Sequence, residues 1–314
     1  MLKKKSLVKK LWLKYYDRNS YRQYKWEIKN YTEQEALNFF IGNARLDTQE
    51  KIIEAAHADK LLNITHSGNA GDVIYALPTI KKIHELTGVP ISLFLRINKP
   101  LPAPIFSNVA HSMGAVMISE GTSKKLSDLL KTQSYIHSVE IYTDQKIHID
   151  LDFFRSQTLP LTNANIARWC SYVTGVTPEL WLPWMSVTPN RLFEDKIVLA
   201  RSERYRNSTI DYSFLSKYEN VIFLGIESEY LDMKKSIPNL ALHQTSSFLE
   251  MAEIIAGCKL FVGNQSFPYA LAEALKAPRI LEGYYLVPHV IPEGKNAHDF
   301  YYQNHFESLV SRLG

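Results

Sequence analysis

The chain has 314 residues, roughly twice the ~150 of a typical domain, which excludes a single small module and leaves two medium domains or one large α/β unit. With 46% hydrophobic and 22% charged residues it can bury a sizeable core, so general disorder is excluded. The net charge of +4 is unevenly placed: residues 1–30 hold ten basic residues against Asp17 and Glu27, a net +8, which leaves −4 for the rest. An acidic body behind a basic leader does not fit a nucleic-acid binder, whose positive charge lines a folded groove. Cys170 and Cys258 are too few for a disulfide framework and too far apart for a zinc pair, so both read as buried thiols in a reducing, cytoplasmic setting.

The leader contains no run of ~18 apolar residues, and Lys9 and Lys10 interrupt the stretch Leu7 to Leu13, so neither a membrane span nor a cleaved signal is expected. Two readings remain for it. Leu11, Trp12, Leu13, Tyr15 and Tyr16 among lysines suit an element lying in an anionic membrane surface, and equally a packed or solvated basic helix.

Residues 31–60 read as helical, with Thr48 capping the run Gln49 to His57. Leu61 to His66 is a short apolar run, followed by Ser67-Gly68-Asn69-Ala70-Gly71-Asp72 and then by Val73, Ile74, Leu77, Ile80, Ile83 and Leu86 at helical spacing. That is strand, glycine turn, helix, and the β-rich run Ile91 to Ile97 completes a right-handed βαβ unit. A helix near Ser123–Lys131 and strands near Ser138–Tyr142 and Lys146–Phe153 follow. Pro160, Pro183 and Pro189 then punctuate a stretch carrying Trp181-Leu182-Pro183-Trp184, which reads as a connection between domains. A second series has strands at Lys196–Ala200, Val221–Leu224 and Lys259–Val262 and helices at Phe248–Ala256 and Pro268–Leu275. The expected division is an extension over 1–60, a first Rossmann-like domain over 61–185 and a second over 186–314, with a ligand between them at the carboxyl ends of the strands.

Gly68, Asn69 and Gly71 allow close backbone approach, and the helix that follows offers unpaired N–H groups to an anion or a reacting hydroxyl. Asp72 reads either as a capping residue or as a site residue. Past the strand ending at Ala200, Arg201, Arg204 and Arg206 with Ser202 suit a diphosphate; alternatively they form a solvated run paired with Glu203 and Asp211. Asp150 and Asp152 have the spacing of a metal-binding pair but also of ordinary strand alternation, and no metal is expected. Histidines show no i, i+4 pair, and no glycine-x-serine-x-glycine elbow occurs.

The run Gly71-Asp72-Val73-Ile74-Tyr75-Ala76-Leu77-Pro78-Thr79-Ile80 resembles the amino-terminal motif of the lipopolysaccharide heptosyltransferases and their relatives. Val221-Ile222-Phe223-Leu224-Gly225 with Glu229, and Leu260-Phe261-Val262-Gly263-Asn264-Gln265-Ser266-Phe267-Pro268-Tyr269, resemble the same family's donor half, so the likeness spans approximately residues 61–285. The resemblance implies a GT-B-like α/β fold, two Rossmann-like domains facing a cleft, here behind a basic helical extension. It implies a hexosyl- or heptosyltransferase using a nucleotide-diphosphate sugar as donor substrate, with no cofactor and with a glycan acceptor. Asp72 then takes the place of the catalytic base. Gly225, Glu229, Asn264, Gln265, Ser266 and Tyr269 take donor-binding places, and Arg201, Ser202, Arg204 and Arg206 are assigned to the loop that in the family contacts donor phosphates, usually with a lysine, so the arginines are substitutes in kind rather than motif matches. The family's donor loop usually carries aspartate, threonine, glycine and a later histidine, where this chain has Asn264, Gln265, Ser266 and Tyr269. Asn69-Ala70-Gly71-Asp72 also resembles polysaccharide pyruvyltransferases, and the altered loop suits a non-catalytic nucleotide- or glycan-binding protein; the donor bound and its turnover separate the three.

Overall fold

The computed structural model describes residues 4–41, 45–100, 116–155 and 164–314, with the backbone alone for 32–41. Helix α1 (Leu7–Tyr16) is capped by the Ser6 hydroxyl, and α2 (Arg18–Ile41) folds back on it at Asp17. Asp17 closes the first helix by donating its N–H to Leu13 O and opens the second by accepting from Ser20 N–H. Helix α3 (Gln49–Asp59) begins at Thr48 as expected, the threonine hydroxyl accepting from Lys51 N–H.

The first sheet is parallel, in the order β3-β2-β1-β4, from β1 (Leu62–His66), β2 (Ile91–Leu95), β3 (Ser138–Ile141) and β4 (Ile149–Asp150). Helix α4 (Ala70–Thr87) crosses from β1 to β2, and α5 (Glu120–Leu130) leads into β3. The strand expected over 146–153 is shorter than its alternation suggests. Asp150 Oδ1 accepts from Asp152 N–H at 2.9 Å, and this local bond bends the chain into a 3₁₀ turn (Leu151–Arg155). A further helix, α6 (Trp169–Thr174), packs on that turn and on α4. Pro160 and residues 42–44 lie outside the described residues.

The second sheet holds β5 (Ile197–Ala200), β6 (Val221–Leu224), β7 (Ala241–His243), β8 (Leu260–Gly263), β9 (Arg279–Glu282) and β10 (Ala297–Phe300). Its order, β10-β9-β8-β5-β6-β7, is all parallel and reverses between β5 and β8, the Rossmann arrangement. Every residue of β5, β8 and β9 is buried, as expected of strands covered on both faces. Between them run α7 (Glu227–Lys234), α8 (Phe248–Gly257) and α9 (Phe267–Leu275), and α10 (Gln303–Leu313) ends the chain on β10.

The halves meet where α4 packs on α9 and α5 on α8. Pro78 lies inside α4 and has no N–H for the carbonyl four residues back, that of Ile74. Trp184 supplies the missing donor: its buried indole Nε1 donates to Ile74 O at 3.1 Å while its backbone N–H donates to Ala274 O of α9 at 3.0 Å. The tryptophan-bearing stretch is therefore a strap across both helices, with Trp181 left exposed. Among the described residues no helix is long and apolar enough to cross a membrane.

Candidate active site

A cleft of ≈ 510 Å³ opens between the halves, walled by the start of α4, by α5 and by the loops after β5, β6, β8 and β9. Each sheet turns its point of strand reversal toward it, the position where open parallel sheets take ligands.

On the first wall Asp72 is the third residue of α4. Its Oδ2 accepts from Asn69 N–H at 3.0 Å and from Arg155 Nη2 at 3.2 Å. The capping reading of Asp72 is met, and the same carboxylate lines the cleft. Arg155 also donates to Asp152 Oδ1 at 2.6 Å, and Arg96 bridges Asp150 and Asp152 at 2.7 and 3.3 Å. The Asp150–Asp152 pair therefore faces guanidinium groups, which is an ion-pair arrangement. Gly68 stands behind the carboxylate rather than in the wall: a Cβ there would lie 2.5 Å from Asp72 Cβ and 2.7 Å from Arg155 Nη2. Gly71 lies within α4, not in a turn, and a Cβ would come only to 3.9 Å of Phe267 across the helix contact. His66, at the end of β1, accepts from Gly68 N–H through Nδ1, and burial pushes its pKa down to about 4, leaving it neutral.

On the second wall lie Ser202, Arg204, Tyr205, Gly225, Glu229, Gln265, Ser266 and His289. Burial pushes the Glu229 carboxyl up to about 7. Tyr205 holds φ at +56°, an uncommon conformation for a bulky side chain and one that recurs at functional loops. Tyr75 Oη, Gln265 Oε1 and His289 Nδ1 are among the buried polar atoms of the wall that have no hydrogen-bond partner within the described residues. Orphaned groups of this kind call for a ligand or water.

Four expected donor residues are not in the wall. Arg201 is buried and binds Glu282 bidentately at 2.7 and 2.8 Å, because that wholly buried carboxylate at the end of β9 requires a cation. Arg206 pairs with Asp232 and donates to the carbonyls of Ser202 and Arg201. Of the three arginines only Arg204 reaches the cleft, and the partners foreseen for a solvated run, Glu203 and Asp211, are not the ones used. Tyr269 is fully buried, its side chain turned into the core. Asn264 is fully buried too, accepting from Ser202 N–H and donating to the carbonyls of Ser202 and Arg204 at 2.9 and 2.7 Å. The amide thus ties the loop after β8 to the loop that presents Arg204. A carboxylate could accept there but could not donate, which gives the departure at 264 a structural reason.

Compared with solved structures, the chain is similar to a family 9 glycosyl transferase from Veillonella parvula, with 11% identity over 81% of this chain and 88% of that one and a TM-score of 0.53. It is similar also to the E. coli heptosyltransferase WaaC with ADP, with 9% identity over 81% of this chain and 100% of that one and a TM-score of 0.54. The same WaaC with ADP-2-deoxy-2-fluoro heptose gives 10% identity and a TM-score of 0.52 over 81% of this chain and 100% of that one. The chain has a GT-B-like fold. No protein-family model matches the sequence, and no curated protein sequence matches it.

Sequence reasoning missed Arg155, Tyr205 and His289. Arg155 and His289 both follow the carboxyl end of a strand, and that position is the signal that could have found them once the strand order was known.

Proposed function

We propose that this protein is a glycosyltransferase that moves a sugar from a nucleotide-diphosphate donor to a hydroxyl of a glycan acceptor, with inversion and without a metal ion. The observation that carries the reading is Asp72, a carboxylate at a helix start on one wall of a cleft whose other wall holds Arg204, the start of α9 and Glu229. The fold supports it, and the solved WaaC structures hold ADP or an ADP-sugar analogue.

Both partners of Asp72 hold Oδ2, so Oδ1 is the oxygen assigned to the acceptor's proton as its hydroxyl attacks the anomeric carbon. Charge developing on the departing diphosphate meets Arg204 and the first turn of α9, whose Phe267 and Tyr269 N–H groups have no acceptor within the helix. Tyr269 thus serves through its backbone. Glu229, uncharged or charged near neutral pH, takes the nucleoside's hydroxyls. The reading includes a cytoplasmic location, in peripheral contact with an anionic inner membrane surface.

The test is calorimetric titration with nucleoside diphosphates in chelator, run beside a transfer assay. Asp72→Asn should keep diphosphate affinity and lower turnover by about 10²-fold or more. Unchanged turnover sinks the assigned base. Binding of phosphoenolpyruvate in place of any nucleotide would move the protein to the pyruvyl-transfer class, and tight nucleotide binding without turnover to the non-catalytic one.

A further inference from the structure

Helix α1 buries only Leu13, while Leu7, Val8, Leu11, Trp12, Tyr15 and Tyr16 are between 46% and 79% exposed. At about 100° per residue these six fill one continuous half of the helix surface, because they form two adjacent i, i+4 rows. The opposite side, with Leu13 and the half-buried Lys10, packs on α2. Exposed Lys9 and Lys14 stand at the two borders between the packed side and the apolar half. Arg18, Arg22, Lys25 and Lys29 of α2 are exposed as well, and so is Trp26. The two acidic residues of the leader are occupied locally, Asp17 in capping α2 and Glu27 in accepting from Gln23.

We infer that α1 lies in the plane of an anionic lipid surface, its apolar half sunk between headgroups and its border lysines reaching lipid phosphates. An aromatic-rich face flanked on both edges by lysines fits an interface where rings sit at headgroup level and long cationic side chains extend to the phosphates. A second copy of the chain is the poorer occupant, since it would bring one net +8 leader against another. The inference extends the membrane placement and does not depend on the catalytic reading.

The experiment uses the full chain with vesicles of phosphatidylcholine, with and without phosphatidylglycerol, and measures nucleotide binding separately on the same preparations. Wild type should sediment with the anionic vesicles at low salt and not with the neutral ones. Lys9→Gln with Lys14→Gln should weaken that binding about 25-fold, each basic residue contributing about fivefold. Trp12→Gln with Tyr16→Gln, which keeps every charge, should weaken it at least tenfold and remove the quenching of tryptophan emission by brominated lipid tails. Circular dichroism confirms that both variants retain their helices, and nucleotide affinity should be the same in all three proteins. Failure to bind anionic vesicles at low salt overturns the inference. So does binding that ignores the Trp12 and Tyr16 substitutions, which would leave a solvated basic leader, or a dimer that those substitutions dissolve.

Discussion

Pro78 and Trp184 should behave as a coupled pair, and a double-mutant cycle measures the coupling. In the wild type the Ile74 carbonyl receives the Trp184 indole N–H because position 78 has no amide hydrogen to offer. Trp184→Phe strips that donor and leaves a buried carbonyl unpaired, at about 1–3 kcal/mol. It also loses part of a ring that carries the Lys276 ammonium 4.2 Å from its centroid and packs in the core, worth about 1 kcal/mol more. In a Pro78→Ala background the new amide can donate to Ile74 O within the helix, so the same Trp184→Phe change should cost only the packing part. The expected coupling is therefore about 1–3 kcal/mol, with the four proteins compared by urea unfolding. Additivity within about 0.5 kcal/mol, the range of independent sites, would show that the indole does not serve the proline-vacated carbonyl.

Glu229, at about 7 in the folded protein against an ordinary 4.5, binds its proton more tightly folded than unfolded. Stability from this group is thus present below pH 4.5 and lost as pH rises through 7, and between pH 5 and pH 8 the wild type should lose about 2–3 kcal/mol relative to Glu229→Gln. Parallel stability profiles of the two proteins would contradict the assigned burial. Asn264→Asp removes the donors to the Ser202 and Arg204 carbonyls and sets a carboxylate against them, so unfolding should show a loss of about 2–4 kcal/mol and diphosphate affinity should fall with it. An Asn264→Asp variant as stable and as tight-binding as wild type would show that the amide does not hold the Arg204 loop.

The sequence made the two strand, loop and helix units legible because each combines an apolar run, a small-residue turn and helical spacing in one short window. The Thr48 cap, β1 with α4, and β8 with α9 lie close to where those patterns put them. Arg201 shows what a local window misses. Its neighbours in sequence suggest a phosphate cluster, yet its partner Glu282 is 81 residues away and becomes adjacent only when β9 takes its place in the sheet. Asn264 reads in sequence as a missing acid for the same reason, since the carbonyls it serves belong to another loop. Asp72 is legible as the residue at the helix start, but its guanidinium partner, Arg155, comes from a strand shortened by the Asp150 turn, where alternation still reads as β. The apolar half of α1 is visible as composition, whereas which side α2 covers requires the fold.

The helix contact gives the cleft its electrostatic character. Gly71, near the start of α4, faces Phe267 and Ala270 at the start of α9, with a Cβ position only 3.9 to 4.0 Å from them, so two helix amino-terminal ends converge at the cleft. Each end carries roughly half a positive charge, and bringing two together is unfavourable in the absence of an anion. Asp72 offsets one of them, as a carboxylate in the first turn of its own helix. The Ser266 hydroxyl donates to Asn264 O and accepts from no helix N–H, and no acidic residue stands in the first turn of α9. The uncompensated end is therefore the α9 end, on the same wall as Arg204, and under the proposed function it is there that a diphosphate would gain most. The starts of α4 and α9 are held to one another by the strap at Trp184, so the separation between Asp72 and the α9 amides is set by helix packing rather than by loop conformation.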